Sequence, residues 1–389
     1  MAAAVLLVGL SSARSVILFS TGDPTANTTA PTGNLANSGW QYEGGWGGFL
    51  GTPIAPNFFL SAGHIGQAGN NFVFQGSTYT LSRSFSLAGS DLLIWQVKEA
   101  FPSFAPLYAG RDEVSQHLAV VGRGTQRGSE VTLNDTLRGW NWGAGDGIQR
   151  WGENDVADIV PYGGHDLLYA TFDEDTPTNQ HPNESHLSSG DSGGAVFLND
   201  NGVWKLAGIN YAVDDLYSAP SPSTEFTAAI FDARGFYTSD GNDPPTFTQI
   251  TGDFPVPTGF YASRISSELA WIGSVIADPQ VGREGNFLTF TYSRLLVPDT
   301  ELTYTVEQSD DLVTWTIATT QDEILSTTGD IETVKAKIDT GNATHLFARL
   351  KVTRPAPPAT SSLGRNKGAP ARSAPRAIRP LSCYICPRR

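Results

Sequence analysis

The chain has 389 residues, 40% apolar and 16% charged, with 41 glycines and 24 prolines: more than one core usually absorbs, and too apolar for a wholly disordered protein. A net charge of −14 speaks against nucleic-acid binding by the bulk of the protein, and no run of eighteen apolar residues offers a transmembrane segment. The charge is divided, since residues 354–389 carry eight basic residues and no acidic one, leaving 17 basic against 39 acidic, a net of −22, in the rest.

Residues 1–15 run Ala-Ala-Ala-Val-Leu-Leu-Val and then turn small and polar, with Ser11 and Ala13 placed as a small-x-small cleavage site. They read as a signal peptide, and the protein as secreted or held at the cell envelope; a first buried strand is the other reading. Short β-rich runs follow at 16–19, 48–52, 58–62, 71–74, 92–97 and 118–121, separated by Gly, Asn, Pro and Ser. That pattern predicts an all-β barrel or sandwich. Residues 139–154, rich in Gly and Trp, read as a loop, and strands resume at 166–172, 193–198 and 204–211. Ile265, Leu269, Ile272 and Ile276 recur at helical spacing and predict a helix over 263–276, closing a first domain of residues 16–278. Strands at 287–292, 302–308, 314–319, 333–338 and 346–352 predict a small β-sandwich accessory domain over 279–353. The Pro- and Arg-rich residues 354–389 read as a disordered tail. It holds both cysteines, Cys383 and Cys386, so the body folds without a disulfide.

Three separated segments each carry part of a nucleophilic device. "LSAGH" ends an apolar strand at His64, "DLLIWQV" puts Asp91 at the mouth of a buried strand, and "GDSGG" sets Ser192 in a glycine-flanked turn before another. A serine hydroxyl becomes nucleophilic when an imidazole takes its proton, and that imidazole needs a carboxylate to hold its tautomer and steady its positive charge. Gly190, Gly193 and Gly194 permit a tight turn whose N–H groups can face an oxyanion.

These motifs resemble those of the chymotrypsin/trypsin-like serine peptidases. "VVGRGT" at 120–125 is similar to that family's Gly-x-Gly strand, and "GFYASRISSELAWI" at 259–272 to the segment leading into its last helix. The resemblance covers residues 40–276. It implies two antiparallel six-stranded β-barrels with a C-terminal helix, ahead of the sandwich. It also implies His64 as general base, Asp91 as its orienting carboxylate, Ser192 as nucleophile, and the Gly190 and Ser192 N–H groups as oxyanion hole. His186, six residues before the serine, falls where the family reads the substrate side chain; protonated, it would favour acidic side chains, and a partly exposed loop histidine is the alternative. Tyr211, Ala212 and Val213 fall where substrate backbone would pair. The family's cysteines beside the histidine and serine are replaced in the neighbourhoods of Ile65 and Ser189. Residues 16–19 are not its usual activation terminus, which leaves Asp191 without an obvious partner.

Gly190-x-Ser192-x-Gly194 also fits the nucleophile elbow of α/β-hydrolases, but there the histidine follows the serine, and here only His345 does. The acidic clusters at 173–175 and 240–243 lack a full Ca²⁺ ligand spacing, and His117, His165 and His181 lack metal-ligand spacing, so no metal and no organic cofactor is expected. Cys383-x-x-Cys386 is a single weak half-site. The expected function is a secreted serine endopeptidase acting on protein or peptide substrates, without a nucleic-acid partner. A cell-surface polymer is a candidate ligand of the C-terminal unit, where Trp315 lies. The rival is a non-catalytic protease-fold binding protein or adhesin with a blocked cleft.

Overall fold

Short segments rich in valine, isoleucine, leucine and phenylalanine, such as Phe58–Leu60 and Leu92–Ile94, form strands here, and turn residues such as Asn57 and Gly76 separate several of them. The computed structural model describes residues 16–174, 181–214, 216–220, 224–242, 245–296, 302–341, 345–355 and, as backbone, 378–380. The signal-peptide reading of residues 1–15 and the pair Cys383 and Cys386 lie outside the described residues.

The fold is all-β. Its first unit comprises β1 (Gly44–Trp46), β2 (Phe49–Ala55), β3 (Phe58–Ala62), β4 (Asn71–Phe74), β5 (Ser77–Ser86) and β6 (Leu92–Val97). They form a closed antiparallel barrel in the order β1-β2-β3-β6-β5-β4, sealed where Gly45 of β1 meets Val73 of β4. The second unit comprises β7 (His117–Gly122), β8 (Arg150–Asp155), β9 (His165–Thr171), β10 (Ala195–Asp200), β11 (Val203–Asp214) and β12 (Gly259–Arg264). These run β8-β7-β10-β11-β12-β9. The chain leaving β8 continues as Asp158–Tyr162, which pairs with β9 and brings the two ends of the sheet together. Read around the ring, both units follow one strand order, so the chain folds the same antiparallel pattern twice.

Aromatic side chains fill the first barrel: Trp46, Phe59, Phe72 and Phe74 are buried, and the Phe59 and Phe72 rings stack at 4.1 Å. Aliphatic residues such as Val120, Leu168, Val196 and Leu198 fill the second. A third cluster lies between the barrels, joining Leu60 and Ile94 to Phe197, Leu206 and Ile209. Each such side chain contributes about 1.5–3 kcal/mol on burial.

The helix α1 (Leu269–Ile276) is shorter than its periodicity predicts. Residues 263 and 264 finish β12, and Arg264 is held there by Glu113 at 2.7 and 2.8 Å, so the backbone cannot begin to coil until after the turn at Ser266 and Ser267. Leu269, Ile272 and Ile276 seat α1 on the inter-barrel cluster, together with Leu295 and Ile331 of the C-terminal unit.

Among the described residues that unit has seven strands in two sheets: β13 (Gln280–Glu284), β14 (Phe287–Leu295), β15 (Thr303–Ser309), β16 (Thr316–Ile317), β17 (Thr320–Thr328), β18 (Ile331–Asp339) and β19 (Phe347–Thr353). The sheets run β13-β14-β18-β17 and β16-β15-β19 around Phe290, Tyr292, Val306, Val334 and Ile338. Trp315 is covered by the Arg349 guanidinium at 4.2 Å, which leaves no open ring face on that side for a polymer.

Two further expectations change. The Gly/Trp-rich stretch from 139 is largely strand: Thr136–Gly145 pairs with Thr125–Leu133 on one side and Ala228–Ile230 on the other. Glycine serves close approach there, since a Cβ on Gly139 would stand 2.1 Å from the Ala229 carbonyl oxygen. The tail is not wholly irregular either, because Ile378–Pro380 pairs with β11. An exposed strand edge offers the backbone partners that the tail's own composition cannot supply.

Candidate active site

β3 and β6 are neighbours, with Ala62 opposite Leu92. The residues that follow β3 and precede β6 are therefore brought side by side. Gly63 donates its N–H to the Asp91 carbonyl at 2.6 Å, and a single 3-10 turn over Gly63–Ile65 lifts His64 off the strand. Asp91 then grips His64 twice: Oδ1 accepts the His64 backbone N–H at 2.7 Å, and Oδ2 lies 2.8 Å from Nδ1.

Ser192 comes from the other barrel, in the turn before β10. Gly190 and Gly193 sit at φ 95° and 76°, in the left-handed region that suits glycine. Gly193 also presses against the first barrel, where a Cβ would stand 2.4 Å from Ser61 Oγ and 2.6 Å from the Leu50 carbonyl oxygen. Ser61 Oγ itself donates to Leu50 O at 2.9 Å. This close seam sets Ser192 Oγ 2.8 Å from His64 Nε2, although the two residues lie 128 positions apart in sequence. Ser192 is buried, and the His64 and Asp91 side chains retain only 13% and 11% exposure, so the site is largely desolvated.

The serine turn has its own frame. Asp191 is fully buried, with Oδ1 accepting from the Gly124 N–H at 2.7 Å and Oδ2 from the Ser188 N–H at 2.8 Å. The Val16 backbone N–H reaches it as well, so Asp191 does not lack the partner that the sequence left unassigned. Burial pushes its carboxyl up to about 6, against the pull of these donors. Val16, Ile17 and Leu18 are buried, and Ile17 and Leu18 pair with His186 and Ser185. Asn210 is a further member that the motifs did not reveal. Its side-chain amide donates to Val121 O at 2.9 Å and Asp191 O at 3.1 Å, while its backbone N–H donates to Gly194 O at 2.8 Å.

Of the three residues read as substrate-binding, Tyr211 and Val213 lie on β11 beside the serine turn. Tyr211 presents its ring edge to His64 at 5.8 Å between centroids. His186 is 1% exposed and lies between the rings of Phe172 and Phe260, with Nδ1 2.6 Å from Leu187 O. Burial pushes it down to about 4, so it is neutral near pH 7 and brings no cation to an acidic substrate side chain. The expectation of an exposed or protonated histidine there is corrected accordingly.

A small cavity opens next to Asp91, lined by Gly89, Ser90, Asp91, Tyr162, His165 and Tyr211, among others. His165 ties the barrels together across it, with Nδ1 3.0 Å from Glu268 Oε1 and Nε2 2.9 Å from Ala88 O. Away from the triad, the β7–β8 pairing puts Glu153 near His117, and His181, in the stretch leading to the Glu184 bridge with Glu153, completes a group of three. His117 Nε2 lies 3.1 Å from Glu153 Oε1, and the two imidazoles stack at 4.7 Å. These histidines have partners in space that their sequence spacing hides.

No family model matches the chain, and no curated relative does. Among solved structures it is similar to Rv3671c protease in its inactive form, at 12% identity over 52% of this chain and 92% of that one, with a TM-score of 0.29. It is also similar to the HtrA-type protease AlgW with a decapeptide, at 10% identity over 79% and 83% with a TM-score of 0.32. A third likeness is to murine norovirus NS6 protease, at 12% identity over 49% and 93% with a TM-score of 0.23. All three are described as proteases; the overlaps are slight, and each is a partial likeness and no more.

Proposed function

We propose that this chain is a serine endopeptidase in which Ser192 is the nucleophile, His64 the general base and acid, and Asp91 the carboxylate that orients it. The observation that carries the reading is the continuous line Ser192 Oγ–His64 Nε2 at 2.8 Å and His64 Nδ1–Asp91 Oδ2 at 2.8 Å, built from two barrels into a desolvated seam. With the Nδ1 proton donated to Asp91, Nε2 is the ring's acceptor and faces the serine hydroxyl.

Ser192 Oγ attacks a peptide carbonyl carbon while its proton passes to His64 Nε2. The oxyanion would be met by the N–H groups of Gly190 and Ser192, in the turn where Gly190 holds a left-handed conformation. His64 then protonates the leaving amine as the C–N bond breaks, leaving an ester on Ser192. Water, deprotonated by the same imidazole, hydrolyses that ester and restores the hydroxyl.

The test is fluorophosphonate labelling of the full chain, read by intact mass, followed by digestion of a peptide library. Wild type should gain one adduct on Ser192, and Ser192→Ala none. Asp91→Asn should lower peptide turnover on the order of 10⁴-fold, because it changes the tautomer without changing the shape. An unlabelled wild type would support the binding-protein reading instead, which the strand Ile378–Pro380 lying on β11 otherwise favours.

A further inference from the structure

β7 and β8 bring imidazole and carboxylate side chains together on one face, away from the proposed triad. His117 lies directly opposite Asp155 in the register, and Glu153 stands two residues before Asp155, so all three project from the same side of the pair. β7 begins at His117, and its far end leads to Gly124, which holds Asp191. At about 3.3 Å per residue the group is roughly 15–20 Å from the serine turn. His181 reaches the same face from the stretch 181–184, which runs along the other edge of β8. That stretch is laced down: the Glu153 N–H donates to Asn183 O at 2.8 Å and the Glu184 N–H to His181 O at 2.9 Å. Asn27 Nδ2 donates to Asn183 Oδ1 at 3.0 Å, and Asn183 Nδ2 in turn donates to Glu153 Oε2 at 2.5 Å.

One ligand atom from each of His117, Glu153 and His181 lies within 4.8 Å of the other two. Two contacts are already at coordination spacing, since His117 Nε2 is 3.1 Å from Glu153 Oε1 and His181 Nε2 is 3.2 Å from Asp155 Oδ2. Donors about 2.0–2.1 Å from a tetrahedral zinc ion stand about 3.3 Å from one another. The His117 Nε2 atom is closed off from solvent, and among the described residues no hydrogen bond reaches it: Glu153 Oε1 is near but out of line. A buried ring nitrogen of that kind calls for a partner. The two rings stack 7° from parallel, so convergence on one ion requires them to turn toward each other. The 40% exposed His117 side chain leaves space for that turn. Trp204, itself buried, meets the His117 ring in a T at 6.2 Å and gives the group an apolar wall.

We propose that His117, Glu153 and His181, with Asp155 as the fourth donor, form a structural site for a divalent transition-metal ion of the zinc class. Two imidazoles select such an ion over calcium or magnesium, which take oxygen ligands. Neutral imidazoles bring no charge, so Glu153 and Asp155 supply the two negative charges that a divalent ion balances. Four protein donors close the coordination shell, which assigns the ion a structural role rather than a part in hydrolysis. Asn183 is the outer partner that orients the Glu153 carboxylate. Bound there, the ion ties β7 and β8 to the stretch that leads through Ser185 and His186 into the serine turn. A chelator leaves the same groups as two imidazole–carboxylate pairs, so the contribution of the His181–Asp155 pair to stability is a property of the chelated chain.

The experiment titrates zinc, and separately cobalt(II), into the chelator-stripped full chain, read by calorimetry and visible absorption. Cys383 and Cys386 are replaced by serine in every sample, so that thiolate binding is not counted. One equivalent should bind, cobalt should give the intense visible bands of tetrahedral coordination, and zinc should raise the melting temperature. The double variant His117→Ala, His181→Ala should lose both the bands and the melting shift while keeping the far-ultraviolet circular dichroism of its parent. Asn183→Ala should bind zinc about 10–100-fold more weakly, because the orientation of Glu153 is lost while every ligand stays. Zinc binding that survives unchanged in the double variant overturns the site, as does calcium binding more tightly than zinc. A chain that takes up neither ion overturns it too. If the double variant does not fold, Asn183→Ala decides, and full affinity there overturns the site. None of these readouts depends on Ser192, so the hydrolase reading stands or falls separately.

Discussion

Asp191 accepts hydrogen bonds on both carboxylate oxygens, from Gly124 and Ser188, inside a fully buried turn. In Asp191→Asn one oxygen becomes an NH₂ that must face an N–H donor, and a buried donor without an acceptor costs about 1–3 kcal/mol. We expect a loss of that size in urea unfolding, together with slower labelling of Ser192, because the turn is what aims Oγ. An unchanged urea midpoint would show that the turn tolerates the mismatch. The pH dependence has a definite sign. Asp191 has a folded value of about 6, above the ordinary carboxylate range, so its contribution is present below about 4 and is lost as pH rises through about 6. His181 behaves in the same sense for a different reason. Its hydrogen bond to Asp155, at 3.2 Å, raises it above its ordinary value. Its contribution is present below about 6.5 and lost as pH rises through the raised value. His181→Ala should therefore destabilise the protein more at pH 5.5 than at pH 9, by up to about 1 kcal/mol. Equal losses at both values would rule that pair out. Neither partnership was legible in the sequence: His117 and Glu153 meet through strand register and His181 joins them from a non-strand segment, whereas His64, Asp91 and Ser192 each announce themselves beside a short apolar strand.

At the scale of elements, legibility followed burial pattern. β3, β6, β10 and β11 are apolar runs between turn residues and were read from the sequence directly. β17 and β13 were not, because nearly every residue of Thr320–Thr328 and all of Gln280–Glu284 are exposed, so neither strand has the alternation that marks a half-buried one. The stretch Thr136–Gly145 was missed for the opposite reason, since its glycines read as loop although they serve close strand approach. In α1 the periodicity was correct and the start was not: Ile265 lies in the same core but on a turn, so the core-facing spacing outran the coil. This placement gives α1 more weight than its eight residues suggest. Ile272 is fully buried in the cluster that joins both barrels to Leu295 and Ile331 of the sandwich. Ile272→Ala should cost about 2–5 kcal/mol in chemical denaturation, and the loss should appear in one transition rather than in the sandwich alone. Two separated transitions would show that the sandwich folds independently of this seam.

The two barrels repeat one ring order, and the candidate triad lies where they meet, with His64 and Asp91 from the first and Ser192 from the second. On the proposed reading, activity would report on how the barrels dock, and His165 is the side chain that lets this be tested. Both its ring nitrogens face acceptors, Glu268 Oε1 on one side and Ala88 O on the other. Only the imidazolium can donate to both, since the neutral ring has a single N–H. Burial opposes that charged form, but the Glu268 and Ala88 acceptors outweigh it and hold the group above its ordinary value. The link is thus complete below about 6.5 and loses one bond as pH rises through the raised value. His165→Ala should slow fluorophosphonate labelling several-fold at pH 6, with the ratio to wild type shrinking toward one by pH 9. Taking the ratio cancels any pH dependence of the labelling chemistry that both proteins share. A ratio that stays constant across this range would mean that His165 does not govern the seam. The approach of Ser192 to His64 would then rest on the apolar cluster between the barrels and on the contact of Gly193 with Leu50 and Ser61, which have no titratable group and no reason to vary with pH.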